Sequence, residues 1–114
     1  PLMLSEGVNK NRISVSQLVN LTSMNAAKIF GMYPAKGSLE VNSDADITLV
    51  DLKKEQKVTT ELFGGFSDYI VYDGWKLKGW PVKTIIRGQT VSEDFQVVGK
   101  SGYGKLVSRK TNST

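Results

Sequence analysis

The chain has 114 residues, a net charge of +4 and a sequence pI near 9.4, with 39% apolar and 23% charged residues; this is the make-up of a globular segment long enough for one modest domain. It holds no Cys and no His, which excludes disulfides, thiolate chemistry and any imidazole ligand or base from within these residues and fits a cytoplasmic setting. A zinc hydrolase site built from this chain alone would rest on carboxylates, which suit harder ions.

Leu2 to Glu6 reads as the last turns of a helix, with Gly7 as its stop. Ser14-Val15-Ser16-Gln17 has the spacing of a capping box, and Val15, Leu18, Val19 and Leu21 then form an apolar face. Thr22 or Ser23 is expected to cap a second short helix running through Phe30. Gly31 can adopt the left-handed cap, and Pro34 bars continuation. Helices this short are marginal alone and need a surface to pack on.

After Tyr33 the pattern turns to β. Strands are predicted at Ile47–Leu52, Lys57–Thr60, Val82–Arg87, Thr90–Ser92 and Phe95–Val98. Arg87-Gly88-Gln89 is expected to join two of them as a hairpin, and Pro81 to start a strand because it cannot donate to a ladder. Residues 61–75 read as a long ordered loop, and Thr111–Thr114 as frayed. No apolar run approaches the roughly 18–20 residues of a membrane span. Beginning at Pro1 without a signal-like segment, the chain reads as a piece that begins mid-protein.

Several stretches carry a resemblance, in order along the chain: Leu2-Met3-Leu4-Ser5-Glu6-Gly7-Val8; Met24 to Gly31 followed by the acidic turn Lys36 to Asp46 and the run Ile47 to Leu52; Tyr72-Asp73-Gly74-Trp75-Lys76-Leu77-Lys78-Gly79-Trp80-Pro81-Val82 with Ile85-Ile86-Arg87-Gly88; and Val98 to Lys105. Together they resemble the C-terminal end of the cyclic amidohydrolases, the hydantoinase, dihydropyrimidinase, allantoinase and dihydroorotase family. Two departures are Asn42, where a glycine is usual, and Ala26, where a proline is usual; Asn tolerates positive φ and Ala is a good helix former.

The resemblance implies a mixed α and β fold. Residues 1–36 would be the terminal helices of a (β/α)8 barrel, 37–98 the C-terminal part of an accessory β-sandwich with an aromatic loop at 61–80, and 99–114 a tail suited to subunit contacts. The parent would hydrolyse a cyclic amide in a hydantoin, dihydropyrimidine, allantoin or dihydroorotate type ring, using two divalent metals, typically zinc. The metal ligands and catalytic groups lie upstream, so no catalytic, cofactor-binding or metal residue is assigned here, and the chain alone is expected to be inactive. Expected partners are the remainder of the parent chain, further copies in a dimer or tetramer, and a small cyclic amide, with no nucleic acid or membrane. The alternative is a metal-free dihydropyrimidinase-like scaffold, which needs the same packing.

Other features receive structural readings. Asp44 and Asp46 suit a hard cation, but Asp in such turns commonly caps amides. Gly99 to Lys105 invites comparison with a phosphate-cradling loop, but Leu106 follows Lys105 and no helix is predicted there; Tyr103 is expected to anchor the segment on a neighbouring surface. Lys28 reads as a surface charge rather than a carbamylated ligand. Tyr72, Trp75, Trp80 and Phe66 are expected to cluster in a core or interface. Ser5 and Ser14 have no His to activate them. The basic run Lys100 to Lys110 reads as a solvated tail, and the glycosylation patterns at Asn20 and Asn112 as chance matches.

Overall fold

The computed structural model describes residues 1–110; the expectations for Thr111–Thr114 and the Asn112 pattern fall outside them. A helical segment is followed by an antiparallel meander of four strands. The first element, α1 (Met3–Val8), is a wide π-helical turn. Gly7 does not stop it; the chain turns later, where Asn11 takes φ 56°. Gly7 serves packing instead, since a Cβ there would lie 3.0 Å from Ile13 Cδ1.

The second helix, α2, spans 15–29. Its start is the expected capping box: Gln17 N–H donates to Ser14 Oγ at 3.1 Å and Ser14 N–H to Gln17 Oε1 at 2.8 Å. The two short helices expected from the sequence are in fact continuous, with α-helical Val15–Val19 and Asn25–Ile29 flanking π-helical Asn20–Met24. Thr22 shows why no cap forms there. Its Oγ1 donates to the Leu18 carbonyl at 2.8 Å, the i−4 bond of a helix-interior threonine. The helix closes as predicted at Gly31, φ 70°. Gly31 N–H donates to Lys28 C=O at 3.2 Å and Met32 N–H to Ala27 C=O at 2.8 Å, the two bonds of a Schellman cap. In the acidic turn Asn42 takes φ 73°, the conformation that the usual glycine would supply.

The sheet runs in the order β1 (Ile47–Lys57), β2 (Lys76–Ile86), β3 (Gln89–Glu93) and β4 (Gln96–Val97). The strand predicted over Ile47–Leu52 continues through Lys57, across a wide bulge. Asp51 pairs with Trp80 and Glu55 with Lys78, so residues 52–54 leave the ladder opposite Gly79. Their polar groups are satisfied locally. Lys53 and Lys54 N–H donate to Asp51 Oδ1 at 2.8 and 3.2 Å, and the Leu52 carbonyl accepts Asn9 Nδ2 at 3.0 Å.

β2 begins at Lys76, within the stretch read as aromatic loop. Pro81 consequently lies inside the strand, not at its start. The pairing steps from Leu49↔Lys83 to Val50↔Pro81, leaving Val82 as an extra residue, and bulges are where strand prolines are accommodated. Arg87 and Gly88 take φ 44° and 78°, joining β2 to β3 in the two-residue, doubly left-handed hairpin geometry. Phe95 turns at φ 64° before the short β4.

α1 docks on the sheet where β2 bulges. Gly79 has φ 106°, and a Cβ there would lie 3.0 Å from both Leu4 Cβ and Asn9 Nδ2. On either side, Lys78 N–H donates to Ser5 Oγ at 3.0 Å and Lys78 C=O accepts Asn9 Nδ2 at 2.6 Å. Trp80 is fully buried beside Val58 and Leu77. It stands edge-on to Phe95 at 5.4 Å between ring centroids, and its Nε1–H donates to the Leu77 carbonyl at 2.8 Å.

This core is small. α2 and the sheet stand apart across an open concavity of about 1260 Å³, lined by Leu18, Val19 and Met24 on the helix and Ile47, Val50 and Ile85 on the sheet. Val19 and Val50 remain 47% and 44% exposed.

Two outcomes follow from this packing. Gly79→Ala should destabilise the protein by about 1–3 kcal/mol, because the methyl meets α1 and an L-residue is strained at that φ; an unchanged urea midpoint would refute the docking. Residues 1–114 expressed alone should self-associate through the uncovered apolar faces, and light scattering showing a cooperatively melting monomer would contradict this.

Candidate functional site

The acidic turn is drawn against the β2–β3 hairpin by one lysine. Lys36 Nζ lies 2.9 Å from Asp44 Oδ2 and also pairs with Asp46 Oδ2, while Asp46 Oδ1 accepts the Arg87 N–H at 2.9 Å. Backbone bonds support the turn: Asp44 N–H to Ala35 C=O at 2.9 Å and Gly88 N–H to Ala45 C=O at 3.0 Å. Burial pushes the Asp46 carboxyl up, but the hydrogen bonds from Lys36 and the Arg87 amide outweigh it and hold the group below the usual carboxylate range. Lys36 is raised, chiefly by its hydrogen bond to Asp46 and against the opposing effect of burial. These carboxylates thus face an ammonium and a backbone amide. Among the described residues, no three acidic side chains gather as metal ligands, and two carboxylates around an ammonium do not fit a zinc centre.

Residues 99–105 do not form a phosphate cradle. Val98 and Gly99 N–H both donate to the Val91 carbonyl, at 2.9 and 3.0 Å, and residues 103–110 form no helix. Tyr103 anchors on the hairpin of its own chain. Its hydroxyl donates to the Ile86 carbonyl at 2.9 Å, and the Arg87 guanidinium stacks 4.3 Å from its ring centroid while donating to the Tyr103 carbonyl.

The remaining candidates have structural partners. Lys28 is exposed, with Nζ 5.0 Å from the Tyr33 ring centroid, and the Tyr33 hydroxyl, donating to Glu40 at 3.1 Å, is raised by that bond. The expected four-member aromatic cluster is divided. Trp80 lies in the core, Tyr72 and Trp75 meet edge to face at 5.4 Å, and Phe66 is fully exposed. Ser5 accepts a strand amide, Ser14 caps α2, and Thr22 of the Asn20 pattern is held within the helix. Two organising residues escaped the sequence reading. Asn9 bonds carbonyls 43 and 69 residues away and belongs to no motif, while Lys36 reads in the sequence only as the start of the acidic turn and not as the partner of Asp44 and Asp46.

The Lys36–Asp46 pair has a pH signature. A depressed carboxylate contributes stability above its unfolded value, which is lost as pH falls through its folded value; a raised lysine contributes below its unfolded value, so it stays constant on the acid side. Asp46→Asn should cost about 1–2 kcal/mol at neutral pH. It should also lose less stability than the native chain below about pH 4. Parallel acid profiles, measured as urea midpoints, would show that the pair does not lock the turn.

The sequence profile of the amidohydrolase family matches residues 2–91. The chain is 42% identical over 110 residues to the L-hydantoinase of Paenarthrobacter aurescens, covering 96% of this chain and 24% of that protein. It is 41% identical over 108 residues to the D-hydantoinase of Geobacillus stearothermophilus, covering 95% and 23%. Among solved structures, the L-hydantoinase (dihydropyrimidinase) from Arthrobacter aurescens aligns with a TM-score of 0.92 at 42% identity. The dihydropyrimidinase from Brevibacillus agri aligns with a TM-score of 0.91 at 39% identity; each alignment covers 96% of this chain and 24% of the other. The chain thus spans about a quarter of the length of these relatives. With the profile matching most of its length, and relatives this similar across nearly all of it, the chain belongs to the amidohydrolase family.

Proposed function

We propose that this chain is the C-terminal part of a longer cyclic amidohydrolase, which hydrolyses a cyclic amide of the hydantoin, dihydropyrimidine, allantoin or dihydroorotate type. The observation that carries this reading is its 42% identity and 0.92 TM-score with an L-hydantoinase over 96% of the chain. In this reading residues 1–36 complete a (β/α)8 barrel, 37–98 form part of a β-sandwich, and 99–114 are a tail. Two divalent metals, zinc by family resemblance, supply activated water in the parent. This chain has neither His nor Cys and its Asp44–Asp46 pair is engaged by Lys36, so these residues do not fit that centre and none is given a catalytic role.

The concavity supports the parentage. An apolar frame between α2 and the sheet, left without filling, is the shape expected where the remainder of a larger polypeptide packs. The parent is proposed to be cytoplasmic and to assemble as a dimer or tetramer, without nucleic-acid or membrane partners; among the described residues no helix is long and apolar enough to cross a membrane. A metal-free scaffold would use the same packing, and no observation on this chain favours it.

The test is the natural polypeptide carrying this sequence, purified from its source. A 12.5 kDa chain matching 24% of a relative implies a parent near 50 kDa. The expected result is that mass, bound zinc, and hydrolysis of a hydantoin or dihydropyrimidine that chelation abolishes. A full-sized chain without metal or hydrolysis would overturn the enzymatic reading, and a natural 12.5 kDa product would overturn the parentage.

A further inference from the structure

We infer that residues 99–110 form a strap that holds the C-terminal end of α2 at a fixed separation from the sheet, so that the concavity between them keeps its shape. This inference stands on the fold and does not depend on the reaction catalysed.

The strap is fastened at three points. At its start, the Val98 and Gly99 amides share the Val91 carbonyl of β3 at 2.9 and 3.0 Å. In its middle, Tyr103 is gripped by the β2–β3 hairpin: its hydroxyl reaches the Ile86 carbonyl at 2.9 Å, and its ring and carbonyl both engage the Arg87 guanidinium. At its end, the Lys110 N–H donates to the Gly31 carbonyl at 2.9 Å. The strap backbone lies so close to the helix cap that a Cβ on Gly31 would fall 2.5 Å from the Lys110 carbonyl oxygen. Gly31 therefore has two tasks, the left-handed turn and clearance for the strap.

A fastening of this kind is needed because α2 faces the sheet across the concavity. α2 is also linked to the sheet through α1, which packs on both, and through the segment beyond its C-terminus, which lies close against α2 at Gly37 and meets the β2–β3 hairpin through the Lys36–Asp46 pair and the Gly88 N–H to Ala45 carbonyl bond. That pair and the strap converge on Arg87, whose backbone amide holds Asp46 and whose guanidinium holds Tyr103. Between the fastenings Leu106 takes no part in this, being 99% exposed. A segment tied through its backbone and one aromatic side chain constrains the helix end without needing an apolar core beneath it.

Hydrogen exchange measured by mass spectrometry on the natural polypeptide tests this directly. Tyr103→Ala should speed exchange of amides in residues 26–32 by about tenfold, since loss of a tether lowers the free energy of local opening, while β2 amides at 82–86 stay unchanged. Arg87→Lys, which keeps the charge and the hairpin backbone but loses the planar stacking surface, should produce the same localised change if Tyr103→Ala fails to fold. Leu106→Ala should leave exchange unaltered. Unchanged exchange at 26–32 in both strap variants would overturn the inference, as would equal acceleration in helix and sheet. A larger effect from Leu106→Ala would also overturn it, because the tail would then act through contacts with a neighbouring molecule.

Discussion

At Gly79 the backbone of β2 takes φ 106° and presents no side chain to α1, and much of the remaining architecture depends on that approach. Three residues of β1 stand opposite this one residue of β2, so both strands depart from regular pairing at the same level. The freed Leu52 carbonyl and the carbonyl of Lys78 turn to one side chain, Asn9, which closes α1 onto both strands at once. Ser5 takes the Lys78 amide, so this buried serine and its neighbouring backbone are satisfied without a water. Adjacent residues Leu77 and Trp80 then complete the small core with Val58. A side chain at Gly79 would lift α1 and leave those polar groups unpaired, a cost that compounds through the shared network.

Beyond that point the fold is a frame more than a packed body. α2 is defined by local chemistry at both ends, a capping box at Ser14 and a Schellman cap at Gly31. Its face toward the sheet meets an open concavity instead of a layer of side chains. The frame is held by polar ties gathered at the Arg87 hairpin: Asp46 and Lys36 on one side, Tyr103 and the strap on the other. Such ties fix geometry, but individually they contribute little stability. The larger favourable term, burial of apolar surface, is left for whatever fills the concavity. The proposed remainder of an amidohydrolase chain is a filler of the right kind, and similarity extends over nearly all of this chain but only 24% of the L-hydantoinase.

What was legible in the sequence was local. The capping box, the Gly31 cap, the left-handed Asn42 and the Arg87-Gly88 hairpin each depend on residues within a few positions of one another. The quoted motifs pointed to the family whose profile matches residues 2–91. Thr22 misled because its hydroxyl can cap a new helix or bond back to Leu18, and only the continuing backbone decides between them. β1 was ended too early, at Leu52, because the bulge at residues 52–54 resets the alternation on which strand prediction relies. The separate strand expected at Lys57–Thr60 does not form, since β1 ends at Lys57 and Thr60–Phe63 is a 3-10 turn. Pro81 was displaced to a strand end because a bulge, which would admit it mid-strand, leaves no local signature. At the candidate site the Asp44–Asp46 turn was expected to cap amides, and Asp46 does accept the Arg87 amide, yet neither Arg87 nor Lys36 was foreseen as a partner. Asn9 was missed for the same reason: its acceptors are distant backbone carbonyls.

The central claim is that the concavity between α2 and the sheet is a seat for the rest of a larger polypeptide. Comparing amide exchange of residues 15–29 and 47–50 in the isolated 114-residue chain and in the natural polypeptide tests it most directly. The expected result is strong protection of both segments in the natural polypeptide and rapid exchange in the isolated chain, diluted below the concentration at which it self-associates. Equal protection in the two would contradict it, because the frame would then be complete without a filler.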